Sequence, residues 1–329
     1  MVAQIDRRFL GTGIANTAVR ATSYLYEGRP LTTSGRWINP TIRRALELDA
    51  TRLSGQHPSR PPAFIVGLGR SGTTLLGQIL ATHSSIGWLN EPKLVWSLAF
   101  PFEDVIGSYR PDAHCKLVLS ALDADANGIA FMNAAYCGYS RLVRRSQIVD
   151  KYPELVYRRE FVERVFPGAR FLVLHRDWRA VVRSIPRWSI DNGNVEADWW
   201  GLRGRKWRAI YDELVAQDEA LASTVSADWR ANTQQAMAMV EWVLATERSA
   251  EFLGSERALM IDYDELVSAP RLQVARILSF LGVEPEEVVL RFAEAQCRVS
   301  EVQTGSWPGI PDALMDRVRA IDSARRSWQ

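Results

Sequence analysis

Short apolar runs alternate with amphipathic stretches along most of the chain after residue 60, and this alternation predicts strands followed by helices. The runs are short and almost wholly apolar, which is typical of strands buried on both faces of a parallel sheet. The predicted strands are Ala63–Val66, Ser85–Leu89, a run ending in Ile148–Val149, Arg170–Leu174 and Ala258–Ile261. The predicted helices are 40–53, Thr73–His83, Pro153–Phe166, a segment from about Asp177, and Pro270–Leu281, which Gly282 ends.

Strands that alternate with helices in this way favour an α/β fold with a central, mostly parallel sheet and helical additions. We predict one domain over residues 1–329, in which residues 1–60 form an N-terminal helical extension. Residues 187–235 are rich in tryptophan and are predicted to be a lid or a substrate-binding insertion. Ligands of such folds lie beyond the carboxyl ends of the strands, so polar residues at those ends are the candidates for function.

Composition excludes several classes of protein. Hydrophobic residues make up 47% and charged residues 24% of the chain, which excludes extended disorder. Forty basic and 38 acidic residues give a net charge of +2, which argues against a protein that coats nucleic acid, so an anionic partner must meet a local cluster. The three cysteines are far apart and predict no disulfide framework or zinc site.

The chain contains no apolar run of the about 20 residues that a membrane helix needs. Its first residues, MVAQIDRRFLGTG, lack the apolar segment of a signal peptide. We therefore expect a cytoplasmic protein without a membrane span. Twelve tryptophans are the unusual count, and those between residues 188 and 207 either stack on a substrate ring or pack in the core.

A glycine-rich turn, GLGRSGTT, occupies residues 67–74 between the first predicted strand and its helix. A turn of this kind gathers unpaired backbone N–H groups and the positive end of a helix around one point, which suits a phosphate or sulfate group. It also occurs as a tight turn without any ligand. As a nucleoside triphosphate loop it is incomplete, because Thr73 stands where that motif has lysine.

The same turn satisfies the dinucleotide fingerprint GxGxxG through Gly67, Gly69 and Gly72. Glu91 follows the next strand, near the place where that fingerprint has an acidic ribose ligand. A nicotinamide-dependent oxidoreductase is therefore one interpretation of this segment. A lone fingerprint of three glycines is a weak signal, and further motifs must decide between the interpretations.

A second signature lies in FPGARFLVLHRDWRAVVRSI, residues 166–185. Arg176 leaves the carboxyl end of a strand, and Ser184 lies two helical turns further along. A guanidinium fork together with a hydroxyl suits a phosphate monoester. The dinucleotide hypothesis does not explain this second pair.

Both segments resemble the motifs of sulfotransferases that use 3′-phosphoadenosine-5′-phosphosulfate. FIVGLGRSGTTLLGQILATHS resembles the family's 5′-phosphosulfate loop, with Gly69 in place of a common proline, and residues 166–185 resemble its 3′-phosphate motif. The resemblance implies a P-loop-like three-layer fold and metal-free transfer of a sulfuryl group to an acceptor hydroxyl by in-line displacement. It implies donor-binding roles for Arg70, Ser71, Gly72, Thr73, Thr74, Arg176 and Ser184.

The resemblance also implies catalytic residues. Glu91 stands where family members acting on carbohydrates or on peptide tyrosine have a glutamate base, whereas the histidine of cytosolic members is missing after the third strand. Lys151 matches a lysine that stabilises charge on the bridging oxygen. Asp150 is either a structural partner of Lys151 or a catalytic group.

The resemblance weakens towards the end of the chain. Residues 263–286 and 306–318 resemble late segments of the family, but Leu75 and Ser306 depart from residues found in several members. The acceptor implied is a small molecule, glycan, lipid or phenol with a hydroxyl group. An oxidoreductase using NAD or NADP and a non-catalytic anion-binding partner protein remain the alternatives.

Overall fold

A sheet of five parallel strands forms the centre of the structure, a computed structural model that describes residues 4–28, 39–194, 196–299, 307, 310–325 and 328. Its strands are β1 (Ala63–Val66), β2 (Ile86–Asn90), β3 (Gln147–Lys151), β4 (Arg170–His175) and β7 (Ala258–Asp262). Strands β5 and β6 lie between β4 and β7 in the chain, outside this sheet. They lie in the order β2-β3-β1-β4-β7, and each adjacent pair is parallel. A short antiparallel hairpin consists of β5 (Ala197–Asp198) and β6 (Gly201–Leu202).

Helices cover both faces of this sheet. Those before β3 are α1 (Arg7–Leu10), α2 (Ile14–Tyr26), α3 (Asn39–Arg52), α4 (Thr73–Leu80), α5 (Lys93–Ala99) and α6 (Ala126–Val143). Between β3 and β7 lie α7 (Arg159–Val165), α8 (Trp178–Asn192), α9 (Arg205–Glu213), α10 (Glu219–Ala222) and α11 (Gln234–Ala250). The last are α12 (Tyr263–Ser268), α13 (Pro270–Leu281), α14 (Glu287–Gln296) and α15 (Asp312–Arg325).

Successive residues of each strand enter two different apolar layers. In β1, Phe64 and Val66 join the layer that includes side chains of α5 to α8 and α11, whereas Ala63 and Ile65 join the layer of α4, α13 and α14. This follows from the two-residue repeat of a strand, which turns alternate side chains to opposite faces. The sheet is therefore the middle of three layers, and the predicted α/β fold with a parallel sheet is confirmed.

The predicted helix Pro153–Phe166 is wrong in one respect, because two segments replace it. A 3-10 turn spans Pro153–Tyr157, and α7 begins only at Arg159. The guanidinium of Arg158 between them is buried and donates to both carbonyl and carboxylate oxygens of Glu103 and to the Leu117 carbonyl oxygen. These contacts come from a distant part of the chain, so local periodicity does not register the break. Helix α4 is also shorter than predicted and ends at Leu80.

Asp150 lies in the core rather than beside Lys151, which corrects its interpretation as a structural partner of that lysine and argues against a catalytic role. Neighbouring residues of a strand face opposite sides of the sheet, and Asp150 points into the core, away from the cavity described below. Its carboxylate accepts hydrogen bonds from Trp96 Nε1 at 2.9 Å and from the Tyr136 hydroxyl at 2.6 Å. Burial, opposed by these two hydrogen bonds, raises the pKa of Asp150 to about 7.

Replacing Asp150 with asparagine is expected to change how stability depends on pH. Between about pH 4 and 7 the folded protein keeps a proton on Asp150 that the unfolded chain releases, so the unfolding free energy falls as pH rises. The D150N variant lacks this titration, and its slope should be more positive by about 1.4 kcal/mol per pH unit. Denaturant unfolding at pH 4.5, 5.5 and 6.5 measures the slope. Equal slopes in both proteins would contradict the shift, and the exposed Asp112→Asn is the control.

The N-terminal helices pack beside the outer strand β2. The amide of Asn16 in α2 donates to the Thr82 carbonyl oxygen at 2.8 Å, and Ser23 shares a hydrogen bond with the Tyr139 hydroxyl. Within the described part of the chain, no helix is both long and apolar enough to cross a membrane.

The segment between α8 and α11 carries the hairpin, α9 and α10. Two of its tryptophans belong to the core: Trp200 and Trp207 are fully buried and pack edge to face, with ring centroids 5.5 Å apart. Trp199, by contrast, lines a cavity at the carboxyl ends of the strands, as does Trp188 near the end of α8. The tryptophan-rich stretch thus divides between core packing and a cavity wall.

Candidate active site

The glycine-rich turn joins β1 to α4 and needs glycine at two positions for reasons of backbone and space. Gly67 has φ +124°, and a Cβ there would lie 2.3 Å from the Leu174 carbonyl oxygen. Gly72 has φ +94°, and a Cβ there would lie 2.4 Å from the ring of Tyr263. The turn delivers the chain to α4, which no side chain of the described residues caps. The first amides of this helix are therefore available to an anion.

Gly69 is explained by a contact with an aromatic ring. A Cβ at this position would lie 2.5 Å from Cη2 of Trp199, so the indole packs directly on the glycine backbone. This contact accounts for the glycine where the resembling family commonly has proline. It also explains the middle glycine of the apparent dinucleotide fingerprint by packing within the protein rather than by a bound pyrophosphate.

Arg70, Arg176 and Ser184 meet beside the turn, although they come from three elements. Nε of Arg70 donates to the Ser184 hydroxyl at 2.9 Å, and Nη1 of Arg176 donates to the Arg70 carbonyl oxygen at 3.0 Å. The Arg176 guanidinium also lies over the ring of Tyr263, 4.0 Å from its centroid. Burial and then the positive charge of Arg176 lower the pKa of Arg70. The like charges of Arg70 and Arg176 favour a bound anion beside them.

Glu91 and Lys151 are brought together by the pairing of β2 with β3, in which Asn90 lies opposite Lys151. The backbone amide of Glu91 donates to the Lys151 carbonyl oxygen at 2.7 Å, and the side chains form an ion pair. The Lys151 side chain is 4% exposed and the Glu91 side chain 21%, so the carboxylate keeps access to the cavity. Glu91 has φ +55°, a left-handed conformation that is strained for a residue with a side chain.

Further buried ion pairs, which were not predicted from the sequence, extend from Glu91. Nζ of Lys93 lies 3.7 Å from Glu91 and 3.3 Å from Glu154, and Nζ of Lys206 lies 3.9 Å from Glu154 and 2.5 Å from Glu241. Burial alone would raise the pKa of Glu154, but the ammonium groups of Lys93 and Lys206 outweigh it and lower that pKa. Glu154 is therefore ionised at neutral pH.

A sequence signal existed for only part of this set of ion pairs. Lys93 and Glu154 come shortly after the ends of β2 and β3, where polar residues of an α/β fold gather. Lys206 and Glu241 lie on helices α9 and α11, and nothing in their local pattern distinguishes them from surface charges. Trp199 connects this end to the glycine-rich turn, because its Nε1 donates to Glu241 at 2.8 Å.

A cavity of about 630 Å³ unites these groups at the carboxyl ends of the strands. Of the nine residues predicted to bind donor or act in catalysis, those that line the cavity are Arg70, Gly72, Thr73, Thr74, Glu91, Lys151 and Arg176. Ser71 is buried outside this lining, and Ser184 reaches the site only through Arg70. Leu75 packs against the apolar layer beneath α4, and Ser306 lies outside the described residues.

The histidine at the end of β4, His175, is buried. Burial and then the charge of Arg325 lower the pKa of His175 to about 3, so its ring is neutral. No group of three or more His, Cys, Asp and Glu side chains in the described ranges is placed to hold a metal ion.

The chain is similar to a family model and to curated proteins. The model of the sulfotransferase family matches residues 61–287. Nodulation protein NoeE of Sinorhizobium fredii is 25% identical over 239 residues, 70% of this chain and 52% of that protein. Human protein-tyrosine sulfotransferase 1 is 27% identical over 154 residues, 44% of this chain and 39% of that protein. The chain thus spans about half or less of the length of these curated relatives.

Solved structures that this chain resembles have low sequence identity and TM-scores below 0.5. A Mycobacterium avium sulfotransferase is 13% identical, with a TM-score of 0.48, over 94% of this chain and 84% of that one. A mouse sulfotransferase complexed with PAP is 12% identical, with a TM-score of 0.38, over 85% of this chain and 88% of that one.

Proposed function

Because this chain belongs to the sulfotransferase family, we propose that it moves a sulfuryl group from 3′-phosphoadenosine-5′-phosphosulfate to the hydroxyl of an acceptor. The observation that carries the proposal is one cavity lined both by two arginines and an uncapped helix end and by a carboxylate–lysine pair. Many anion-binding proteins have the first feature. A base beside the anion site adds what transfer to a hydroxyl requires.

The donor's phosphate groups fit the cations and amides beside the glycine-rich turn. Arg70 and the first amides of α4, from Gly72 to Thr74, would hold the 5′-phosphate, and Arg176 with Ser184 the 3′-phosphate. A bound anion would offset the repulsion between the two guanidinium groups. It would also accept hydrogen bonds from the unpaired amides at the start of α4. Because Arg70 donates to Ser184, the residues proposed for the 5′-phosphate and those proposed for the 3′-phosphate form one continuous site.

Glu91 is the proposed general base and Lys151 the proposed partner of the leaving group. Transfer forms a bond between the acceptor oxygen and sulfur and breaks the bond from sulfur to the bridging phosphate oxygen, while the hydroxyl proton passes to Glu91. The ammonium groups of Lys151 and Lys93 lie beside the Glu91 side chain and form ion pairs with it. Positive charge from Lys151 would stabilise the bridging oxygen as negative charge develops there.

The acceptor is proposed to enter against the tryptophan-bearing wall of the cavity. Trp188 and Trp199 lie edge to face, with ring centroids 5.5 Å apart, and both belong to the predicted insertion at 187–235. Lys93 and Glu154 lie nearby as groups able to bond polar substituents of the acceptor. This lining suits a hydroxyl acceptor that has both an apolar face and polar groups.

The proposal is tested with the unaltered protein. Calorimetric titrations with 3′-phosphoadenosine-5′-phosphate, NAD and NADP should show that the first binds at least about tenfold more tightly, since only it carries the 3′-phosphate that Arg176 would bind. Incubation with donor labelled at sulfur and a panel of carbohydrate, phenolic and tyrosyl-peptide acceptors should then transfer label to one class. Tight binding of NAD or NADP instead would favour an oxidoreductase. Donor binding without transfer to any acceptor would favour the non-catalytic alternative.

A further inference from the structure

Arg20 and Glu27 form a buried ion pair beneath the turn that carries Glu91. Nη1 of Arg20 lies 2.6 Å from Oε1 of Glu27, and Nη2 donates to Oε2 at 2.8 Å. The two side chains are only 1% and 0% exposed. Because removing both charges from water offsets much of their attraction, a buried pair is weak evidence for stability. The contacts of this pair with β2 indicate its role.

The pair contacts backbone atoms of Trp88 and Asn90, at the carboxyl end of β2. Oε1 of Glu27 accepts the backbone N–H of Asn90 at 2.7 Å. Nη1 of Arg20 donates to the Trp88 carbonyl oxygen at 3.1 Å, and its guanidinium lies 4.3 Å from the centroid of the Trp88 ring. The ion pair therefore holds the three-residue segment that ends immediately before Glu91.

That segment leads into a strained conformation. Glu91 has φ +55°, which for a residue with a side chain persists only where surrounding contacts impose it. Two consecutive amides of the turn are held from different elements: that of Asn90 by Glu27 and that of Glu91 by the Lys151 carbonyl oxygen. The first contact comes from the N-terminal extension and the second from β3.

We propose that Glu27 is a positioning residue for Glu91, so that the N-terminal extension completes the active site. The inference rests on the proposed role of Glu91 as general base. The family match begins at residue 61, so this contact comes from outside the matched region. The backbone of Glu27 also accepts the hydroxyl of Tyr109 at 3.2 Å, and Tyr109 lines the cavity. A displaced base costs turnover steeply, because transfer needs it within hydrogen-bond reach of the acceptor.

Shortening Glu27 to aspartate tests the proposal. The E27D variant keeps the charge opposite Arg20 but draws the carboxylate away from the Asn90 amide. We expect kcat to fall about 10- to 100-fold while KM for the donor changes less than about threefold. Asn16→Ala is the control, because Asn16 belongs to α2, which ends one residue before Glu27, and its amide donates to the Thr82 carbonyl oxygen instead. Should E27D leave kcat unchanged, or N16A lower it equally, the positioning role is wrong.

Two further measurements separate this inference from the proposed function. In an E91Q background, E27D should cost less than about threefold in kcat, since the base it positions is already lost. Hydrogen exchange of the peptide containing Asn90 reports on the contact without any activity, and its protection should fall in E27D but not in N16A. If E91Q alone has normal turnover, the proposed base fails, whereas unchanged protection in E27D overturns the positioning contact itself.

A second variant covers the case in which E27D does not fold. Arg20→Lys keeps a positive charge beside Glu27 but cannot make both the bond to Glu27 and the bond to the Trp88 carbonyl oxygen in the same fork geometry. We expect a smaller loss in kcat, about 3- to 10-fold, again with little change in KM for the donor. Normal kcat in a folded R20K protein whose Asn90 protection is reduced would contradict the inference.

Discussion

Replacing Glu91 with glutamine is expected to lower the turnover of sulfuryl transfer by about 10²- to 10⁴-fold, which is the usual contribution of a general base. The amide keeps the size of the side chain but accepts no proton from the acceptor hydroxyl. Affinity for 3′-phosphoadenosine-5′-phosphate should change little, because Arg70 and Arg176, rather than Glu91, are proposed to bind its phosphate groups. Steady-state kinetics and a calorimetric titration of the same preparation measure both quantities.

An exposed glutamate provides the control for this change. Glu196→Gln makes the same chemical change at an exposed side chain and should leave turnover within about twofold. Normal turnover in E91Q would remove Glu91 as the base. If the change instead weakened binding of NAD or NADP, Glu91 would be acting as the ribose ligand of a dinucleotide site.

Replacing Arg176 with glutamine is expected to weaken donor binding about 10- to 100-fold, the effect of losing one charge-assisted contact with a phosphate. Turnover at saturating donor should stay within a few-fold, because Arg176 contacts neither Glu91 nor Lys151. The KM for the donor therefore rises, while kcat is largely kept. Kinetics over a range of donor concentrations, with a titration of the product nucleotide, separates the two.

The helix that follows Arg176 offers a matched control for this change. Arg187 is an exposed residue of α8 whose ion-pair partner among the described residues is Asp191, one turn away, so Arg187→Gln removes the same charge without touching the cavity. If both variants weakened donor binding equally, the effect would come from net charge alone. Strong salt dependence common to both variants would point the same way.

The strands were predictable because each is an apolar run buried on both faces. Local composition carries that signal, and all five predicted strands lie within a residue or two of those in the structure. Arg158 shows where local composition fails: its side chain donates to oxygens of Glu103 and Leu117, and these distant contacts lie at the break in a helix that periodicity predicts as continuous. Asp150 shows the second limit, since only the face of the strand decides that it meets Trp96 rather than Lys151.

The site divides in a similar way. The resemblance to the family singled out Arg70, Glu91, Lys151 and Arg176, and their gathering in one cavity was predictable because they lie at or after strand ends, which parallel strands bring to one edge. Gly69 was visible as a motif residue, but its contact with Trp199 depends on how the segment after α8 packs over the turn.

By itself the sequence determined the α/β class, the glycine-rich turn and the cations and carboxylate at the strand ends, because short-range patterns encode burial and turns. Only the tertiary structure decided the partners of those groups. It linked Arg70 to Ser184, extended the Glu91–Lys151 pair through Lys93, and placed Glu27 beneath the Glu91 turn. These contacts join residues far apart in the chain, and their energies depend on distance and burial, which exist only once the chain has folded.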